Sequence, residues 1–288
     1  DDFNDRWHHI VKNFDTLITT PESVTTLRQT ILDLAVRGKL VPQNPSDEPA
    51  SELLKRIEQE KNYLLNEQKL RRQRALPKLK TEARLFEEPE PWQWVMIDNV
   101  FQVTGGIQKS GKRAPVKNFF PYLRVANVQR GALDLTEIAD FELYDCELEK
   151  YRLEAGDLLV VEGNGSESEI GRCARWAGEI ANCVHQNHLI RCRPIRIGIE
   201  HYTLLFLNSP TGMGVMKNMA STTSGLYNLS VGKIRSIPIA YPPISEQHRI
   251  VAKVDALMAI CDRLEIALTE AASRSEALAT AVVANTCQ

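Results

Sequence analysis

The stretch SEQHRIVAKVDALMAICDRLEIALTEAASRSEALATAVVA, Ser245–Ala284, decides the architecture of this chain. Ile250, Val254, Leu257, Cys261, Leu264, Leu268, Ala271, Ser275, Leu278 and Val282 recur in alternating steps of four and three. That is the a/d seam of a coiled coil. Ser245 reads as the helix cap, with Glu246 in the first turn where a carboxylate meets the positive end of the helix. At ~1.5 Å per residue the helix would extend about 60 Å, too far to be buried in a domain of this size. It must pack against another helix, from the N-terminal part of the chain or from a second chain. The alternative is an ordinary amphipathic surface helix. The stripe is narrow, and Cys261, Ala271 and Ser275 are small enough to let a partner approach closely.

Upstream of Tyr241-Pro242-Pro243 the character changes. From about Trp92 onward, Gly, aromatic and β-branched residues alternate with short apolar runs. Trp94–Val103, Tyr122–Val128, Leu158–Val161 and Leu189–Ile199 read as strands or near-strands. Turn signals stand at Gly105-Gly106, Gly111, Gly131, Gly163 to Gly165 and Gly178. A helix is predicted around His201–Leu207 and a shorter one after Pro210. Further upstream, Thr20-Pro21-Glu22 is a helix start and Gly38 a helix stop, with Leu27, Ile31 and Leu34 on one face. After the connector VPQNPSDEPA, the stretch SELLKRIEQEKNYLLNEQKLRRQRA reads as a second helix ending in bases, and LPKLKTEARLFEEPEP as a linker. The predicted organisation is therefore residues 1–88, a helical region and linker; 89–243, a mixed domain; and 244–288, the coiled-coil helix.

The composition is that of a soluble globular protein, 43% hydrophobic and 25% charged. No run approaches the ~18–20 apolar residues that span a bilayer. The N-terminus, DDFNDRWHHI, has no basic region followed by an apolar core and no initiating Met; it reads as lacking a signal peptide and as a fragment. Six cysteines spread through the chain do not form a disulfide framework, so reduced thiols and a cytoplasmic location are expected. The formal net charge of −2 argues mildly against nucleic acid, but its distribution is uneven. Asn99 to Leu133 holds no acid and six bases, Lys109, Lys112, Arg113, Lys117, Arg124 and Arg130. Ile180 to Ser245 holds one acid, Glu200, against Arg191, Arg193, Arg196, Lys217, Lys233 and Arg235. Clustered bases permit phosphate binding; a folded surface of mixed charge is the competing expectation.

Catalytic signatures are weak. Gly106-Ile-Gln-Lys-Ser-Gly111-Lys112 nearly matches a phosphate-binding loop, but Arg113 stands where a Ser or Thr must ligate magnesium. Ala114-Pro115 then blocks the helix that should follow. Cys173, Cys183, His185, His188 and Cys192 lack paired zinc-ligand spacing. Asp157, Glu162, Glu167 and Glu169 form an acidic cluster with no nucleophile or cofactor motif beside it.

Leu27–Lys61 (LRQTILDLAVRGKLVPQNPSDEPASELLKRIEQEK) and Tyr241–Glu265 (YPPISEQHRIVAKVDALMAICDRLE) resemble the conserved helical regions of specificity subunits of type I restriction–modification systems. Tyr122–Gly131, Leu153–Trp176, Val184–Pro194 and Thr222–Pro243 resemble one target-recognition domain. The resemblance implies an α+β fold, a mixed α/β target-recognition domain with long antiparallel coiled-coil helices. It implies a non-catalytic subunit that reads one half of a bipartite site in double-stranded DNA and docks the modification (adenine methyltransferase) subunits. A restriction subunit would join through the complex, and S-adenosylmethionine, ATP and magnesium would belong to the partner subunits. Family members carry two recognition domains; this chain has one. It is either half of a longer subunit or a half-subunit that forms a homodimer through its helices.

The family does not fix base contacts. Loop position and side-chain chemistry nominate Gln108, Lys109, Lys112, Arg113 and Lys117 in one loop, and Thr222, Thr223, Ser224, Tyr227 and Asn228 in another. Gln can pair with adenine, and Arg or Lys with guanine. Arg124, Arg191 and Arg193 are read as structural ahead of phosphate-binding. The rival functions are an oligomeric scaffold whose α/β domain binds protein, and an enzyme with an unfamiliar site.

Overall fold

The computed structural model of the chain describes residue 12 and residues 18–108, 116–144, 147–164, 169–223 and 226–286; at 164, 221–223, 226–227 and 283–286 the description is of the backbone. Packing divides the chain into two compact units, Asp1–Leu32 with Ala252–Gln288, and Asp33–Val251.

Helix α1 spans Pro21–Val36. Its start is the predicted one: Ser23 N–H donates to Thr20 Oγ1 at 3.3 Å and Thr20 N–H to Ser23 Oγ at 3.2 Å, a reciprocal cap. Its end is also as predicted. Gly38 takes φ +70°, and Lys39 N–H folds back to the Leu34 carbonyl at 2.9 Å, a turn that glycine makes without steric cost.

Helix α2 spans Ala50–Asn66 and stops short of the run of bases predicted at its end. Gln68 takes φ +58° and Lys69 N–H returns to the Leu64 carbonyl at 2.9 Å. The reason is burial. Leu53 and Ile57 are buried, but between Leu65 and Ala75 the only apolar side chain is Leu70. Further turns would cover almost nothing, and helices of this kind are held by packing.

Strand β1 (Gln93–Met96), the single turn α3 (Ile97–Val100) and β2 (Phe101–Gly105) replace the one strand predicted over Trp94–Val103. The Asn99 side chain accepts the Met96 N–H at 2.9 Å and so supports the turn. Next come β3 (Phe119–Leu123), β4 (Ala139–Glu142), α4 (Glu147–Tyr151), β5 (Leu158–Val161), β6 (Gly163–Asn164), β7 (Cys173–Arg175), β8 (Val184–His185) and β9 (Leu189–Pro194). Helices α5 (Glu200–Asn208) and α6 (Pro210–Met219) follow. The second was expected to be the shorter; it has 10 residues against 9. Ser209 caps it through Gly212 N–H at 3.1 Å, and Pro210 takes its first position. The chain ends through β10 (Ser221–Thr223), β11 (Leu226–Asn228), α7 (Val231–Arg235), β12 (Pro238–Tyr241) and α8 (Ile244–Thr286).

Within Asp33–Val251 the main sheet is antiparallel in the order β2-β9-β5-β7. All four residues of β5 are buried, as its unbroken apolar run implies. A second sheet, β4-β3-β8, pairs β3 with β8 in parallel. Two smaller sheets are β1-β12 and β10-β11-β6. One core gathers Leu123, Leu159, Val161, Ala174, Trp176, Cys183 and Leu189. Another stacks Tyr122 on Phe141, ring centres 4.3 Å apart, beside Ile107, Leu143 and Val184. Such aromatic pairs add to the area they bury.

In the other unit, Val24, Leu27 and Ile31 of α1 and Val254 and Cys261 of α8 are buried. Arg28 joins the two helices, pairing with Asp262 at 2.7 Å and Glu265 at 2.8 Å. Helix α8 begins one residue before the predicted cap, so Ser245 lies inside its first turn. Along the heptad seam, Leu257, Leu264 and Leu268 are half-buried, whereas Ala271, Ser275, Leu278 and Val282 are exposed. Among the described residues no helix is long and apolar enough to cross a membrane.

Candidate nucleic-acid interface

Four segments distant in sequence lie side by side through main-chain hydrogen bonds. Ile107 N–H donates to the His185 carbonyl, and Asn187 N–H to the Ile107 carbonyl, both at 2.9 Å. Glu162 N–H donates to the His188 carbonyl at 2.8 Å, and Leu229 N–H to the Glu162 carbonyl at 2.6 Å. Residues 107, 186–188, 162 and 229 thus form one row, and Asn228 pairs with Gly163 beside it. Gly106 makes the first contact possible. A Cβ there would lie 2.2 Å from the His185 carbonyl oxygen and 2.4 Å from that of Gln186. Close backbone approach, and no phosphate loop, accounts for this glycine.

The row brings together the two nominated loops at Gln108 and Asn228, both exposed. Lys233 Nζ donates to the Asn228 carbonyl at 3.2 Å and braces the second of them. Lys117 is exposed but stands at the opposite end of β3. Phe119 is paired with Glu142 there, while Leu123, at the other end, is paired with His185. Glu142 holds this stem: one carboxylate oxygen accepts the N–H groups of Val116, Lys117 and Asn118 at 2.8, 3.1 and 3.1 Å. These bonds, that of Val116 first, hold its pKa below the ordinary value. Thr222, Thr223 and Tyr227 lie in the β10–β11 hairpin, Thr222 opposite Tyr227. Lys109, Lys112, Arg113 and Ser224 lie outside the described residues.

Other nominated groups are committed to the fold. Arg193 makes two bonds to Asp157, each 2.8 Å, and pairs with Glu154 at 2.8 Å. Arg191 is buried and donates to the Arg152 carbonyl at 2.9 Å; burial and then Arg193 bring its pKa down to about 10. Arg124 pairs with Glu137 at 3.1 Å. The acidic cluster is dispersed, since Asp157 faces Arg193, Glu162 faces His188, and Glu169 faces Arg172 at 3.1 Å; Glu167 lies outside the described residues. Cys173, Cys183 and Cys192 are buried, and burial pushes the first two thiols up to about 12. His185 is buried with Nδ1 on the Leu189 carbonyl at 3.0 Å; burial, then Arg191, lowers it to about 3. Among the described residues no cluster of three His, Cys, Asp or Glu is placed to hold a metal.

Two features escaped the sequence reading. One is the turn at 186–188, which no local pattern places beside Ile107. The other is the segment 69–80, read as helix end and linker. Lys69, Arg71, Arg72, Arg74, Lys78 and Lys80 are all exposed there, with no intervening acid. None of the six forms an ion pair among the described residues. Gln73 ties the segment to the Val103 carbonyl at 2.8 Å, and Arg235 donates to the Arg74 carbonyl at 2.8 Å. The signal was present as charge density and was masked by the helix reading.

A mixed α/β domain with a basic segment tied to its sheet, and a long C-terminal helix, define an α+β protein. The sequence matches the family described as type I restriction modification DNA specificity domain over residues 89–273, and the chain belongs to that family. It is 32% identical over 274 residues to the type I restriction enzyme EcoEI specificity subunit of Escherichia coli, covering 93% of this chain and 46% of that one. It is 34% identical over 281 residues to the EcoAI specificity subunit of Escherichia coli, covering 91% and 44%. The chain thus spans about half the length of these relatives. A chain from a structure of complex assembly and conformational transition of the type I R-M system shares the fold, with TM-score 0.53 and 16% identity over 91% of this chain and 55% of that one.

Proposed function

We propose that this chain is a sequence-reading subunit of a type I restriction–modification complex, in which residues 89–243 recognise one half of a bipartite site in double-stranded DNA. The observation that supports the reading is the hydrogen-bonded row that links the segments carrying Gln108 and Asn228, both of them exposed. Base edges would be read from this row. Phosphates would be met by the exposed bases of 69–80 and by Lys117, since phosphate contacts position a protein and base contacts specify. The long helix would dock the modification subunits and, through them, the restriction subunit. It would also join a second recognition domain, in a longer chain or a homodimer. Under this reading the chain does no chemistry; S-adenosylmethionine, ATP and magnesium are bound by partner subunits.

Selection from randomised duplexes, with the modification subunits present, tests it. Enrichment of a half-site is expected. No enrichment would favour a scaffold whose α/β domain binds protein, and turnover by the isolated chain would make it an enzyme.

A further inference from the structure

The turn Gln186-Asn187-His188 has the geometry of a reader. Its backbone is fixed on both sides, by Ile107 and by Glu162. Its side chains are not consumed by that pairing: His188 is exposed and Asn187 half-buried. It sits between the two loops already nominated, next to the segment of Gln108 and separated from that of Asn228 by Glu162. The His188 ring is also oriented. Its Nδ1 lies 3.0 Å from a carboxylate oxygen of Glu162, with the side chains 54% and 22% exposed. A carboxylate accepts only, so Nδ1 carries the proton in this contact. Nε2 is then the remaining polar atom of the ring, 3.5 Å from Asn187 Nδ2.

We propose that Asn187 and His188 read base edges in the major groove, with Glu162 as the residue that positions the His188 ring. This rests on the DNA-reading function above and deepens it. Two arguments favour bases over phosphates as the ligand. The turn contains no Lys or Arg, and the Glu162 carboxylate beside it repels a phosphate oxygen. The carboxamide of Asn187 matches the adjacent donor and acceptor of adenine N6 and N7. The Nε2 of a neutral imidazole accepts from an exocyclic amino group, as adenine N6 and cytosine N4 provide.

The test compares duplex selection by the assembled complex carrying the wild-type chain, Asn187→Ala, His188→Ala, Glu162→Ala or Glu162→Gln. The wild-type half-site should survive in every variant except at one or two adjacent base pairs. There, discrimination should fall roughly tenfold to a hundredfold in the first three. Glu162→Gln, whose carbonyl still accepts from Nδ1, should retain most of it. Affinity for an unrelated duplex should be unchanged, which also reports that the variants are folded. Equal loss on all sequences with a shallower salt dependence would make the turn a phosphate contact and overturn the proposal. An unaltered consensus would overturn it too. If the wild-type chain itself selects no sequence, the functional reading falls and this proposal falls with it; only in that case do wild type and variants agree in showing no preference.

Discussion

Gln43 Nε2 donates a hydrogen bond to Glu246 Oε1 at 2.7 Å. The other oxygen of Glu246 accepts the indole N–H of Trp92 at 3.0 Å. One turn on, Arg249 pairs with Asp47 at 2.6 and 3.2 Å. The connector VPQNPSDEPA and the helix start SEQHR, each within a stretch that resembles the family, are therefore partners in space. Each supplies hydrogen-bond partners to the other.

Glu246 is buried, and burial raises its pKa above the ordinary value. Glu246→Ala should cost about 1–3 kcal/mol by leaving the buried indole N–H of Trp92 unpaired. Glu246→Gln keeps an acceptor and sheds the desolvation of a charge, so its loss should be smaller. Urea denaturation at neutral pH ranks the two; an equal loss would show that the charge is needed.

His185 titrates near 3 in the fold against an ordinary value of 6.5. Below about pH 6.5 the unfolded chain takes up a proton that the folded chain refuses. Stability attributable to this residue should fall by about 1.4 kcal/mol per pH unit as the pH drops from 6.5 toward 3. The comparison is the urea midpoint at several pH values for wild type and His185→Gln, in which this part of the slope should vanish.

Glu142 anchors Val116, Lys117 and Asn118 by their N–H groups. Its pKa lies below 4.5, so the anchor holds above the ordinary carboxylate range and is lost as pH falls through the lowered value. Glu142→Ala should deprotect these three amides in hydrogen exchange at neutral pH while leaving those of β5 unchanged. Protection retained at all three would mean that the stem holds itself.

The bases of 69–80 are an electrostatic prediction. Replacing Arg71, Arg72 and Arg74 by Ala should weaken DNA binding alike for all sequences. The slope of log affinity against log salt should become shallower by up to ~0.9 for each phosphate contact removed. A changed target preference with an unchanged slope would assign these residues a different task.

Gly106→Ala places a methyl against two carbonyl oxygens that belong to backbone and cannot swing aside. A loss of about 1–3 kcal/mol is expected from the overpacking, together with relaxed selection at the base pairs read from Gln108 and the 186–188 turn. Calorimetry and duplex selection measure the two effects separately.

The long helix, the capped start and glycine stop of α1, and the buried strand β5 were legible because each is a local pattern. Helix α2 was read too long because the bases that follow suit a helix C-terminus, and only the φ of Gln68 and the lack of anything to bury end it. The seam of α8 was legible in spacing, but spacing does not tell that it is covered near Cys261 and exposed from Ala271 onward. Two of the bases in the acid-poor stretch, Arg191 and Arg193, are absorbed by the fold. The candidate interface was half legible: Gln108 and Asn228 came from loop chemistry, whereas their nearness depends on the pairings of Ile107 with His185 and Asn187 and of Asn228 with Gly163. Those pairings span long stretches of chain and leave no local trace.

The backbones of residues 107, 186–188, 162 and 229 are joined across the row by main-chain hydrogen bonds. Peptide groups are the same whatever side chain they carry, so the side chains at 108, 187, 188 and 228 can be exchanged without removing a main-chain bond of the row. If base edges are read from this row, as proposed, single substitutions at these positions should change the target preference while the backbone that presents them stays paired.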